Sequence, residues 1–298
     1  MLFRSIQLNT YRGKFIIKEM VGFTGWNLFA GLAMIGRNQG VAVIINIFLG
    51  TIANAAYGVA NQINGALGHF SATFQKAINP QLMKSEGMND RNRLFRISFI
   101  SSKFSVLALA FFAVPFIMEM DEVLTLWLKD NIPPFTLKLA QYILLLSITY
   151  QYSVGIMAAI QATGKIRNYQ IIMGSFLLMN IPIAYVILKM GYSVYYTTIA
   201  FVILELTSLC VRLFMANKLT GMSVKEYIQN VIQPTMIIIV IPVIIAMIPH
   251  FMISNSFLKL VIVCSIYCLL FAVLMFRFAF DEGQREHIKS KIQHHLKR

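Results

Sequence analysis

Long apolar runs alternate with short polar connections along this chain, and the runs recur at the length a bilayer demands. Eight read as spanning helices, at about 22–48, 53–75, 97–118, 136–160, 169–189, 194–216, 234–253 and 257–277. A span needs roughly 20 apolar residues, and lipid offers the backbone no partner outside a helix or closed barrel. The expected fold class is all-α: a polytopic membrane protein of about eight transmembrane helices. Two non-spanning pieces stand out. "SVKEYIQNVIQP" places Ser223 and Glu226 at capping-box spacing and repeats Val224, Tyr227, Ile228, Val231 and Ile232 on one face. That pattern predicts an amphipathic helix on the membrane surface, with Pro234 opening the next span. "MEMDEVLTLWLKDNIPPF" mixes acids with Leu124, Leu126, Trp127 and Leu128, as an interfacial segment anchored by tryptophan does.

Composition sharpens the class. Of 298 residues 57% are hydrophobic and 13% charged, and the mean hydropathy is +0.67, more apolar surface than a soluble domain of this length hides. The net charge of +14 does not point to nucleic acid. The cations fall in short loops, with no basic stripe interleaved with exposed aromatics, so no nucleic-acid partner is expected. Cys210, Cys264 and Cys268 all lie in predicted spans and read as reduced packing residues. The first 20 residues are basic and polar, without the apolar core of a cleavable signal.

The charges alternate by connection. The lead, the second-to-third connection, the loops near Lys165 and near Lys218, and the tail together carry 20 of the 26 Lys and Arg residues, Arg212 counted among them. The intervening loops hold only Lys129, Lys138, Lys189 and Lys259, and the longest adds Glu119, Asp121, Glu122 and Asp130. By the positive-inside rule both termini are expected in the cytoplasm. The domain organisation follows: a cytoplasmic lead over 1–20, a six-helix bundle over 21–218, an interfacial helix plus two extra spans over 219–277, and a basic cytoplasmic tail over 278–298. The His294–His295 pair in that tail reads as solvated rather than metal-binding.

Polar residues inside spans carry the candidate chemistry. A charge at the bilayer centre costs about 2.5–3.5 kcal/mol on insertion scales, so it faces a cavity or a partner. Arg37, with Asn38 and Gln39 beside it, lies roughly ten residues, or about 15 Å of helix, from either interface, too far to snorkel. Cavity lining, a salt bridge to another helix and capping of a broken helix compete for it. In the second span Asn54, Gly58, Asn61, Gly65 and Gly68 share one face, with Asn64 and Gln62 nearby. Close helix packing accounts for the glycines; the amides exceed what packing needs and suggest a polar wall. His69 reads as packed or interfacial. Glu205 and Arg212, seven residues apart on the sixth span, form either a structural ion pair or a coupling site, with Arg37 an alternative counter-ion if the first and sixth spans approach. Pro115, Pro182 and Pro242, with Gly36 and Gly40, suggest kinked helices around a cavity.

There is no P-loop, no metal-spaced His/Asp/Glu set and no Ser-His-Asp arrangement, and the outer loops are too short for a catalytic domain. No enzyme activity, catalytic residue, metal or cofactor is expected.

"KEMVGFTGWNLFAGLAMIGRNQGVAVIINIFLGTIANAAYGVANQIN", the "LWL" outer loop, "AAIQATGKIRNYQ" and "SVKEYIQNVIQP" together resemble bacterial polysaccharide (O-antigen or capsule) flippase-type exporters of the multidrug/oligosaccharidyl-lipid/polysaccharide superfamily. The resemblance covers nearly the whole chain from Lys18. That family has two six-helix lobes facing each other across a cavity, often followed by two extra spans. The match is to the second lobe plus the extra spans, with the N-terminal lobe missing. The resemblance implies a bacterial inner (cytoplasmic) membrane protein whose substrate is an undecaprenyl-pyrophosphate-linked oligosaccharide, flipped outward for surface polysaccharide synthesis. Arg37, Asn38 and Gln39 would then meet the anionic head group, with Asn54, Asn61 and Asn64 as weaker candidates. A missing lobe, a second copy or other polysaccharide-assembly proteins are the implied partners, besides the lipid bilayer. A cation-coupled multidrug exporter of the same fold, and a non-transporting fragment or assembly partner, remain as alternatives; short outer loops disfavour a membrane polymerase.

Overall fold

The computed structural model describes residues 10–129, 131–164, 166–253, 256–280 and Glu286. The start of the lead, Asp130, Lys165 and the tail with His294 and His295 lie outside the described residues. Among those described, all regular structure is helical. In order the elements are α1 (Thr10–Gly87), α2 (Arg91–Met118), α3 (Met120–Leu128), α4 (Thr136–Gln151), α5 (Val154–Ala162) and α6 (Arg167–Lys189). Then come α7 (Val194–Thr220), α8 (Val224–Tyr227), a π-helical turn (Ile228–Ile232), α9 (Gln233–Met252) and α10 (Ser256–Phe278). Seven continuous helical stretches among them are long and apolar enough to cross a membrane. The chain is an all-α, multi-pass membrane protein.

The first stretch holds two of the expected spans. Its apolar part runs 68 residues, about 100 Å if straight, against a hydrocarbon core of about 30 Å. It breaks at Gly50, where φ is 78° and ψ is −176°, a region essentially reserved for glycine. Met34, Arg37 and Asn38 then line a common cavity with Tyr57, Asn61 and Asn64, which requires the chain to fold back about Gly50. The first arm runs parallel to α6. Trp26 lies 5.5 Å from the Arg167 guanidinium, Asn27 bonds Gln170 at 3.2 Å, and the Phe48 and Tyr185 rings are 5.5 Å apart. The second arm runs antiparallel to α2, with Phe70 on Phe112 at 4.3 Å and Phe74 on Phe104 at 5.7 Å.

Helix α2 is the buried centre. Ser98, Ser101, Ser102 and Ser105 on it are fully buried. Ser102 donates to the Tyr152 carbonyl and accepts from Gly155 N–H, both at 3.0 Å. A side chain at Gly155 would overlap the Ser98 carbonyl oxygen, so α5 crosses α2 at backbone contact. The fourth expected span is thereby split: α4 ends at Gln151, and α5 begins at Val154.

Two expectations need correction. Ser223 does cap its helix, accepting from Glu226 N–H at 3.3 Å, but "SVKEYIQNVIQP" is no separate surface helix. It runs through the π-turn straight into α9. Tyr227 and Val231 are fully buried, and the Tyr227 hydroxyl donates to the Tyr152 carbonyl; tertiary burial of the apolar face overrides membrane-surface docking. Pro115, Pro182 and Pro242 lie inside α2, α6 and α9, and the interruptions at Gly50 and after Gln151 lie elsewhere. Finally, close packing does not explain the second arm's glycines. A Cβ at Gly58, Gly65 or Gly68 would meet nothing within 4 Å.

Helices α9 and α10 are tied to the end of α2 by polar contacts the sequence pattern did not reveal. Glu119, 1% exposed, closes α2. Its carboxylate meets His250 Nδ1 of α9 at 2.6 Å and Lys259 Nζ of α10 at 3.6 Å, and Lys259 also reaches Glu122 at 3.4 Å.

Candidate functional site

A cavity of about 470 Å³ opens among the two arms of α1, α4, α5, α6 and α7. Arg37, Asn38, Asn61, Asn64, Glu205 and Arg212 all line it. Gln39 and Asn54 do not, so the structure separates the predicted set. One step along a helix turns a side chain by about 100°, and Gln39 is carried to the exposed outer face of the arm. Asn54 is half-buried near the bend.

Arg37 is half-buried, and its guanidinium lies 5.7 Å from the Phe201 ring centroid on α7. It makes no ion pair among the described residues. Glu205 is not its partner. Two turns along α7, Arg212 donates to Glu205 and, at 2.8 Å, to Ser153 Oγ in the α4–α5 turn. The first and sixth spans do approach, but the seven-residue spacing lets Arg212 reach Glu205 along its own helix. Arg212 is thus a buried side chain, 3% exposed, rather than one of the loop cations. A crevice of about 10 Å³ separates Arg37 from this pair, room for about one water.

The cavity is therefore asymmetric. A self-neutralised acid–base pair sits on one wall, and an arginine without a carboxylate faces it. Around them, the amides are mostly tied locally. Asn61 donates to the Tyr57 carbonyl at 2.8 Å, and Gln151 accepts from Gln75 at 2.9 Å. Asn64 Oδ1 is buried without a hydrogen-bond partner, as is Arg212 Nε. Each carries the desolvation cost of a buried polar group left unpaired, about 1–3 kcal/mol.

Tyr150, Gln151, Tyr169, Gln170, Asn27 and Gln161 also line the cavity, and the sequence reading missed them. Tyr150 and Arg212 are in cation–π contact at 5.8 Å. The one available signal was the polar run Tyr150-Gln151-Tyr152-Ser153 inside an apolar span, the place where the helix breaks. Among the described residues no group of three or more His, Cys, Asp or Glu side chains could hold a metal ion.

Comparisons with family models, with curated proteins and with solved structures each found no match.

Proposed function

We propose that this chain is the second-lobe half of an exporter that moves an anionic, lipid-linked oligosaccharide across a bacterial inner membrane. The observation that carries the reading is Arg37, a permanent cation on the wall of a membrane cavity whose one lining carboxylate, Glu205, is already engaged by Arg212. An arginine left in that state favours an anion, and its planar fork suits a pyrophosphate. The amides of Asn38, Asn61 and Asn64 suit the hydroxyls of a sugar. The resemblance noted in the sequence supplies the lipid-linked oligosaccharide, and the loop charges supply the orientation, both termini inward.

The open glycine face of α1 favours operation beside a second helical body, either a first lobe or another copy of the chain. A cation-coupled drug exporter is the second reading, since Glu205 does reach the cavity. It is weaker because Glu205 is neutralised by Arg212.

The test is complementation of a flippase-deficient strain by the chain, alone and co-expressed with a first-lobe segment. Surface glycan should return in at least one arm and disappear with Arg37→Ala, while membrane insertion stays normal. Normal export from the Arg37→Ala protein would remove the anion site. Failure of both arms would favour a non-transporting assembly partner.

A further inference from the structure

A larger cavity lies elsewhere. A groove of about 740 Å³ runs between the second arm of α1, α2 and α10, and eight of its thirteen lining residues are phenylalanine. The one polar lining residue, Thr73, has its hydroxyl satisfied by the His69 carbonyl at 2.8 Å. The groove is built rather than incidental. Phe104 meets Phe74 at 5.7 Å and Phe280 at 5.4 Å, while Phe111 meets Phe271 at 5.5 Å. Three helices thus contribute interlocking rings to its walls.

Three observations identify its occupant. First, α2 and α10 are both membrane spans, so hydrocarbon is what reaches an apolar concavity between them. Second, the groove extends along α2 from Phe104 to Phe112, about 12 Å of helix, close to one leaflet's share of a core about 30 Å thick. Third, cations follow the groove's residues in sequence at one end. Exposed Lys76 comes two residues after Phe74, and exposed Arg277 directly after Phe276, its guanidinium 6.0 Å from the Phe278 ring. Lys103 Nζ lies 5.8 Å from the Phe104 ring. Asp281 and Glu282, which come next in the sequence, lie outside the described residues.

We propose that this groove is a binding site for a bilayer phospholipid, which lays an acyl chain along the phenylalanines and sets its phosphate toward the Phe74–Phe104 end, where Lys76 is exposed. Dispersion contacts with the rings hold the chain, and a cation near the membrane surface attracts an anionic head group. The site is distinct from the polar cavity and independent of what that cavity carries. The two share no lining residue. Asn61 and Phe70 are nine residues apart, about 180° out of phase on the second arm. The groove is therefore not a path for the tail of a cavity-bound substrate.

The experiment uses the full chain in native-lipid nanodiscs with a phospholipid bearing a photoreactive diazirine in its acyl chain. Label should concentrate at least fivefold on peptides spanning 70–74, 104–112 and 271–280 relative to the exposed face around Ile47. Ala272→Trp, at the exposed rim, should remove most of that excess, whereas Val273→Trp, one residue round the helix, should leave it. Label spread evenly over the lipid-facing helices would overturn the proposal. So would displacement of the label by polyprenyl phosphate but not by unlabelled phospholipid. Mapping the unaltered chain keeps the result decisive even where a variant misfolds.

Discussion

Arg212 and Ser153 meet across the break between α4 and α5, where the guanidinium donates to Ser153 Oγ at 2.8 Å while holding Glu205 through the same nitrogen. A helix interruption and a buried ion pair are thereby one feature. The hydrogen bond to Ser153 ties the ion pair on α7 to the turn that joins α4 to α5.

That arrangement predicts a non-additive mutant cycle. Glu205→Ala or Arg212→Ala alone strands a buried charge, and each should cost roughly 3–5 kcal/mol of stability. The double variant Glu205→Leu/Arg212→Met should recover most of it, since shape-matched apolar replacements of a buried pair are often near neutral. Unfolding of purified protein in detergent reads the coupling. Additive losses would mean the two side chains act separately.

Two glycines on the same helix should respond in opposite ways. Gly50 has φ 78°, so Gly50→Ala strains the turn between the arms by about 1–3 kcal/mol and should lower the Tm. Gly58 is helical, and an added methyl there would meet nothing within 4 Å; Gly58→Ala should be neutral or gain up to about 1 kcal/mol in this chain alone. Pairing with a second body would reverse that second outcome, so the Gly58→Ala melt measured with and without a co-expressed lobe also reports on the open face.

Cavity position should sort the amides. Asn61→Ala and Asn64→Ala, on the wall, are expected to reduce glycan export several-fold in a working transporter. Gln39→Ala and Asn54→Ala, off the wall, should leave it within about twofold. Surface-glycan titre against expression level distinguishes these outcomes. Equal effects from all four would detach function from the cavity.

The Glu119 cluster should hold α9 and α10 against α2. Glu119→Ala leaves His250 and Lys259 without their buried carboxylate. Both are partly exposed, 29% and 20%, so they rehydrate, and the loss should be about 1–3 kcal/mol. Cys264 and Cys268 on α10 should then react faster with a membrane-permeant maleimide. Cys210, exposed on α7, should react at the original rate. Unchanged α10 labelling would show that the apolar contacts alone secure these helices.

The class of this protein was legible in its sequence because hydropathy is local. A 20-residue apolar run becomes helical in lipid because nothing there replaces the backbone hydrogen bonds, and the expected spans follow the described helices except at the turn after Gln151 and at Ile253. Arg37 stood out for the same reason, since a charge in such a run is costly before any neighbour is known. Where backbones cross was not legible. The break after Gln151 depends on Gly155 lying against Ser98, and the burial of Tyr227 depends on reaching the Tyr152 carbonyl; both partners are more than 50 residues away. Nor could spacing choose the partner of Glu205, or divide Asn61 and Asn64 from Asn54. Composition and periodicity determined that the chain is a membrane bundle with polar residues at depth. Only the tertiary packing decided which of them share a cavity, because a side chain's neighbours across a bundle are set by helix rotation and crossing, which no single helix encodes.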